Sequence, residues 1–160
     1  MSQYKFLHTG SYVKIILHDI PERPGVIARM SRILADHHIN IMTLRHSAQS
    51  ATKGDIAFTV AKEQADESFR LMKENLKEIG GGDVSIKRDL ALVFIRGGEI
   101  EDLPGFVSDI LRAFSEYHVE FDMLSLAPEG VTCILPENQF NPATHAFNKM
   151  FIDEPIISPI

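Results

Sequence analysis

The chain has 160 residues, with 16 Lys and Arg against 22 Asp and Glu, a formal net charge of −6. That length makes one ordinary domain or two small ones, and an apolar content of 44% is enough for real cores. The acidic balance argues against general binding to nucleic acid or an anionic membrane, both of which need a basic surface, and one cysteine, Cys133, excludes an internal disulfide framework.

The longest apolar run, Leu90 to Ile95, is far short of the roughly 20 residues that span a bilayer. No apolar signal core follows the first residues, Met-Ser-Gln-Tyr-Lys. The expectation is a soluble, cytoplasmic, globular protein.

Taken in chain order, Tyr12 to His18 is rich in β-branched residues and reads as a strand. Pro24-Gly25 then opens a helix with apolar positions 26, 27, 30, 33 and 34, one buried stripe. A second strand is predicted over Ile39 to Ser47, and a third alternates Ile56, Phe58 and Val60. Apolar positions 65, 69, 72, 76 and 79 predict a second helix, stopped by Gly80-Gly81-Gly82. A strand near Val84 to Lys87 closes this set.

The same pattern then recurs. Leu90 to Ile95 takes the place of the first strand, and Pro104-Gly105, 80 residues after Pro24-Gly25, opens a helix with apolar positions 106, 107, 110, 111 and 114. Strands follow at Val119 to Ala127 and at Val131, Cys133 and Leu135, then a helix at 143, 147 and 150. The last strand of this copy is expected in Asp153 to Ile160, where Pro155 and Pro159 restrict it to a sheet edge. The first ten residues, with Tyr4, Phe6 and Leu7, are the other source for it. The order βαββαβ, twice, predicts an α+β fold of two tandem ferredoxin-like units, residues 11–88 and 89–160, with antiparallel sheets carrying helices on one face.

The recurring loop carries an acid, one residue, then Pro-Gly and a helix: Glu22-Arg23-Pro24-Gly25 and Asp102-Leu103-Pro104-Gly105. Proline suits a helix start, glycine permits close approach, and the first helical turn offers free amides that attract a carboxylate. The acid could take an α-ammonium group, so a small amino acid fits both demands. The same residues also serve as a plain helix start with an acid nearby as a cap. A carboxylate at a helix N-terminus contributes roughly 0.3–2 kcal/mol, whereas micromolar binding needs about 8 kcal/mol. Any site must therefore draw contacts from a facing strand.

The run Ile20-Pro-Glu-Arg-Pro-Gly-Val-Ile-Ala-Arg-Met-Ser-Arg-Ile-Leu-Ala-Asp-His-His-Ile-Asn-Ile resembles the first repeat of an ACT domain, an amino-acid-binding regulatory module. Arg96-Gly-Gly-Glu-Ile, Pro104-Gly105 and Glu120-Phe-Asp-Met-Leu-Ser extend this to the paired ACT domains at the C-terminus of aspartate kinase, over about residues 11 to 152. The resemblance implies that an effector, usually lysine or threonine, sits between the repeats and inhibits a kinase allosterically. It places the ligand-facing positions at Glu22, Pro24, Gly25, Val26, Ile27, Asn40, Met42 and His46, with Asp122 and Ser125 in the second copy.

The chain also departs from that pattern. Met42 stands where the family has an acid, His46-Ser47 where it has Gln-Asn, Glu120 where it has Asn, Glu99 where it has the second loop glycine, and Leu126-Ala127 where it has Thr-Ser. Met42 points to a less polar partner group on the ligand. The kinase half, with its nucleotide motif, has no counterpart in the sequence.

Seven histidines raise a metal or acid–base reading, but no His-x₃-His or Cys-x₂-Cys spacing occurs, and His37, His38 and His118 fall at helix ends where an imidazolium suits the dipole. No P-loop, Gly-x-Gly-x-x-Gly or Gly-x-Ser-x-Gly motif appears. Cys133, on the inward alternation of a strand, reads as core packing. The expectation is a non-catalytic protein with no cofactor or metal. Its expected partners are a small amino-acid effector, a second copy in a homodimer, and a separate kinase or other enzyme of amino-acid biosynthesis. The alternative is an ACT-type interaction module of another regulatory system, such as the partner of a transcription regulator.

Overall fold

The computed structural model describes residues 4–97, 105–151 and 157–159. Contacts divide the chain into two compact units, residues 12–88 and residues 1–11 with 89–160. Strand β1 spans Tyr4–Pro21 and β4 spans Asp83–Gly97, so each unit takes part of both.

In the unit of residues 12–88, helix α1 (Val26–Asp36), strands β2 (Thr43–Ala48) and β3 (Lys53–Ala61) and helix α2 (Ala65–Ile79) follow β1. The strand order is β2-β3-β1-β4, with β3 antiparallel to both β1 and β2. Alternation turns Ile15 and Leu17 of β1, and Ile56, Phe58 and Val60 of β3, to one face, where all are fully buried. Val26, Met30 and Leu34, spaced four apart on α1, cover that face together with Leu71, Met72 and Ile79 of α2.

Three details differ from the sequence reading. The buried stripe of α2 runs through Ser68 and Leu71, leaving Phe69 and Leu76 at its margin; Ser68 is tolerated because its Oγ donates to the Gln64 carbonyl at 2.7 Å. Strand β2 begins at Thr43 rather than Ile39, because the Ile39 amide still closes α1 by donating to Leu34 O at 3.0 Å, after His38 turns to φ 57°. The segments Val84 to Lys87 and Leu90 to Ile95 form a single strand, β4, without a break.

In the other unit, β4 pairs antiparallel with β6 (Gly130–Pro136), and β6 with β5 (Met123–Ala127); Val93 faces Cys133 across the ladder. Helices α3 (Phe106–Glu116) and α4 (Phe140–Phe151) supply Phe106, Ile110, Phe114 and Phe147 to its core. Leu111, expected on the α3 stripe, is 39% exposed. Phe6 of β1 is fully buried in this core, its ring 5.2 Å from that of Phe147, and Thr9 Oγ1 donates to Leu92 O at 3.0 Å. The start of the chain thus supplies a strand beside β4. Strand β7 (Ile157–Pro159) adds in parallel along Phe6–His8, and Pro155 lies outside the described residues.

The architecture is α+β, with antiparallel strand pairs and four α-helices among the described residues. Among those residues no helix is long and apolar enough to cross a membrane.

Candidate functional site

Strand β1 ends at Pro21, and the chain reaches α1 through Glu22-Arg23-Pro24. The Glu22 amide donates to Thr52 O and the Arg23 amide to Pro21 O, both at 2.9 Å, which fixes the loop before the helix. Gly25 is the N-cap at φ 89°, a conformation that a side chain resists, and nothing lies within 4 Å of where a Cβ would stand. Its carbonyl accepts from the Arg29 amide at 2.9 Å. The amides of Val26, Ile27 and Ala28 precede that bond, no side chain caps the helix, and its first turn carries no acid. The positive end of α1 therefore stands uncompensated.

This helix start opens on a cleft of about 380 Å³ lined by Arg23, Pro24, Gly25, Val26, Arg29, Glu78 and Ile79. Arg29 lies one turn into α1 and donates through Nη1 to Glu78 O at 3.3 Å, which orients its guanidinium across the helix pair. Val26, buried in the core, also lines the cleft. Two arginines against one acid, Glu78, beside an uncapped helix start give the cleft an excess of positive charge, which suits a carboxylate.

Glu22 is not among the residues lining that cleft. Its Oε1 lies 2.8 Å from His46 Nε2 on β2, with side-chain exposures of 22% for Glu22 and 37% for His46. Both sit over Gly54, where an added Cβ would collide with the Glu22 carboxylate and lie 2.6 Å from Ser47 O. The acid that the sequence assigns to an ammonium group thus has an imidazole beside it, yet its Oε1 is a buried acceptor that completes no hydrogen bond.

Asn40 and Met42 also come together, the Asn40 amide nitrogen donating to Met42 Sδ at 3.6 Å, and Met42 is 43% exposed. The Met42 backbone amide donates to Thr59 O at 2.9 Å, which anchors the start of β2. In the other unit, the Asp122 amide donates to Ile134 O at 2.7 Å, and Ser125 is exposed on β5 opposite Thr132. Gly105 caps α3 at φ 97°, again with open space above it; Asp102, Leu103 and Pro104 lie outside the described residues.

Of the positions expected from the sequence, Pro24, Gly25 and Val26 line the cleft and Ile27 does not, while Arg23, Arg29, Glu78 and Ile79 line it without having been expected. Arg29 was within reach, one turn beyond Gly25, but Glu78 and Ile79 come from the end of α2 and carry no local signal. Cys133 is fully buried, and desolvation pushes its thiol up to about 12. Among the described residues no group of three or more His, Cys, Asp or Glu is placed to hold a metal ion.

Residues 14–80 match the model of the ACT domain. The aspartokinase of Corynebacterium efficiens is 23% identical over 143 residues, which cover 88% of this chain and 34% of that protein. The aspartate kinase of Pseudomonas fluorescens is 23% identical, with 89% and 35% covered. The chain spans about a third of the length of these curated relatives. Among solved structures, the ligand-free regulatory subunit of aspartate kinase from Thermus thermophilus superposes with a TM-score of 0.82 at 24% identity, covering 91% of this chain and 96% of that one. The aspartate kinase of Synechocystis gives 0.88 at 21% identity, covering 98% and 28%. The resemblance read from the Pro-Gly helix starts and the strands after them stands.

Proposed function

We propose, from a chain whose residues 14–80 match the ACT domain, that this protein is a non-catalytic amino-acid sensor built of two tandem ACT-like units. In this reading it controls an enzyme of amino-acid biosynthesis, an aspartate kinase or a relative, from which it takes its fold. The observation that carries the reading is the uncapped start of α1, which lines a cleft together with Arg23, Arg29 and Glu78. The effector's α-carboxylate binds the Val26 and Ile27 amides beside Pro24 and Gly25. Asn40, Met42 and His46 on and before β2 contact the rest of the ligand, and Glu22 receives its ammonium group by exchange with His46. Asp122 and Ser125 are the corresponding positions of the second unit.

The energetics require this spread of contacts. Charge-assisted hydrogen bonds contribute about 1.5–3 kcal/mol each, so two or three of them with apolar contact at Met42 reach the roughly 8 kcal/mol of a micromolar ligand. Coupling to an enzyme then needs only about 1–3 kcal/mol of difference between two packings. The exposed edge strand β2, with Met42 and Leu44 on it or beside it, suits a homodimer.

Thermal-shift measurements against each common amino acid test this reading. One of them is expected to raise the Tm of the wild type and to leave the Glu22→Ala, Asn40→Ala double variant unmoved. A protein that answers to none of them is not an amino-acid sensor, and a shift retained in the double variant moves the site elsewhere.

A further inference from the structure

Away from the α1 cleft, three side chains from three strands converge in the unit of residues 12–88. His18 of β1, Asp55 of β3 and Ser85 of β4 each neighbour a core residue, Leu17, Ile56 and Val84, so alternation turns them to the face of the sheet opposite α1 and α2. His18 Nδ1 lies 3.1 Å from Asp55 Oδ2, and His18 Nε2 lies 2.7 Å from Ser85 Oγ. The other Asp55 oxygen accepts the Asp19 amide at 3.2 Å. Asp19 stands at φ 55°, within the register shift between Leu17 and Ile20, and that local distortion turns its amide toward Asp55.

With the ring neutral, the partners assign the proton positions. A carboxylate only accepts, so the Nδ1 facing Asp55 carries the proton; Nε2 of the neutral ring is then an acceptor, and Ser85 must donate its hydroxyl proton to it. A nucleophile, a base and a group orienting the base thus stand within hydrogen-bond reach in series. His18 is 34% exposed and Asp55 22%, so a small reagent has access.

We propose that Ser85 is an activated nucleophile, an acylation site that takes an acyl group from an activated ester. Ser85 Oγ attacks the ester carbonyl carbon while its proton passes to His18 Nε2. The bond from that carbon to the leaving oxygen then breaks with its electron pair, and the imidazolium returns the proton to the leaving group. The products are acyl-Ser85 and a free alcohol or phenol, and nothing is oxidised or reduced. Asp55 is a positioning residue, holding the imidazole in the tautomer that accepts at Nε2. This assignment is independent of the effector reading.

The test is incubation of the full chain with p-nitrophenyl acetate, followed by intact-mass measurement and peptide mapping. The expected result is one acetyl group per chain, on the peptide that contains Ser85. Labelling is lost in Ser85→Ala, falls at least tenfold in His18→Gln, and falls in Asp55→Asn with p-nitrophenol release slowed in parallel. Mapping of the wild type locates the acetyl group whether or not a variant folds. Acetylation confined to lysines, or an unchanged rate of Ser85 labelling in His18→Gln, overturns the proposal.

Discussion

The Glu22 carboxylate and the His46 imidazole meet over Gly54, with Nε2 2.8 Å from Oε1. This contact ties the loop after β1 to the edge strand β2, and it turns the acid of the Pro-Gly motif away from the cleft its neighbours line. A ligand ammonium at Glu22 must displace the adjacent His46 ring, and it would supply a donor to an Oε1 that otherwise has none. The absent Cβ at position 54 is what lets the pair close.

Gly54→Ala follows directly from that geometry. The new methyl would overlap the Glu22 carboxylate and crowd Ser47 O, and overpacking of this kind costs about 1–3 kcal/mol. Urea denaturation should show the loss, and the His46 ring resonances should report separation from Glu22. Gly25→Ala meets no neighbour and should cost about 1–2 kcal/mol through its left-handed φ alone.

Phe6→Ala should destabilise the unit made of residues 1–11 and 89–160, most of which is far from Phe6 in sequence. Phe6 is fully buried against Phe147 and Phe140, and such truncations cost about 3–5 kcal/mol. Hydrogen exchange should rise in α4 and β6 while α1 and α2 keep their protection.

Much of this was readable in the residues. The alternation of Ile56, Phe58 and Val60, the four-residue spacing of Val26, Met30 and Leu34, and the two Pro-Gly helix starts each express a local period that the structure keeps. What pattern reading could not place depends on which strands become neighbours. Tyr4, Phe6 and Leu7 offered a strand in the first ten residues, but that Phe6 packs against Phe147 is a tertiary contact no local pattern shows. His18, Asp55 and Ser85 are separated by 37 residues and by 67 from His18 to Ser85, and nothing local links them. The Glu22–His46 pair is likewise a tertiary contact, invisible to motif spacing. Leu111 kept the helical period and still fell outside the core, because Ala113 and Phe114 fill the face that period points to.

Cys133 should be inert in the native protein. Its thiol is pushed up to about 12 from an ordinary 9.0 by desolvation, so almost no thiolate forms at neutral pH. A thiol reagent such as DTNB should react only after denaturation. Because the fold holds the neutral thiol, this contribution is intact below pH 9 and is lost as pH rises from about 9 toward 12. Cys133→Ser should remove that alkaline slope.

Asp83 is held below the ordinary carboxylate range, first by the hydrogen bond from Lys73 and then by the Val84 amide. A lowered folded value means that this carboxylate favours the fold above its unfolded pKa and loses that effect as pH falls through the folded value. NMR titration should find the Asp83 carboxyl shifted down in the wild type and moved back up in Lys73→Met. Because the group is exposed, added salt should weaken the shift.

The most direct measurement is an amide NMR titration of the full chain with each common amino acid, read at Gly25, Val26 and Ile27. One amino acid should move these amides in a saturable way, with Asn40 and His46 following at the same midpoint. If no amino acid perturbs the residues from Glu22 to Ile27, the start of α1 is only a well-made helix cap and the sensor reading is wrong.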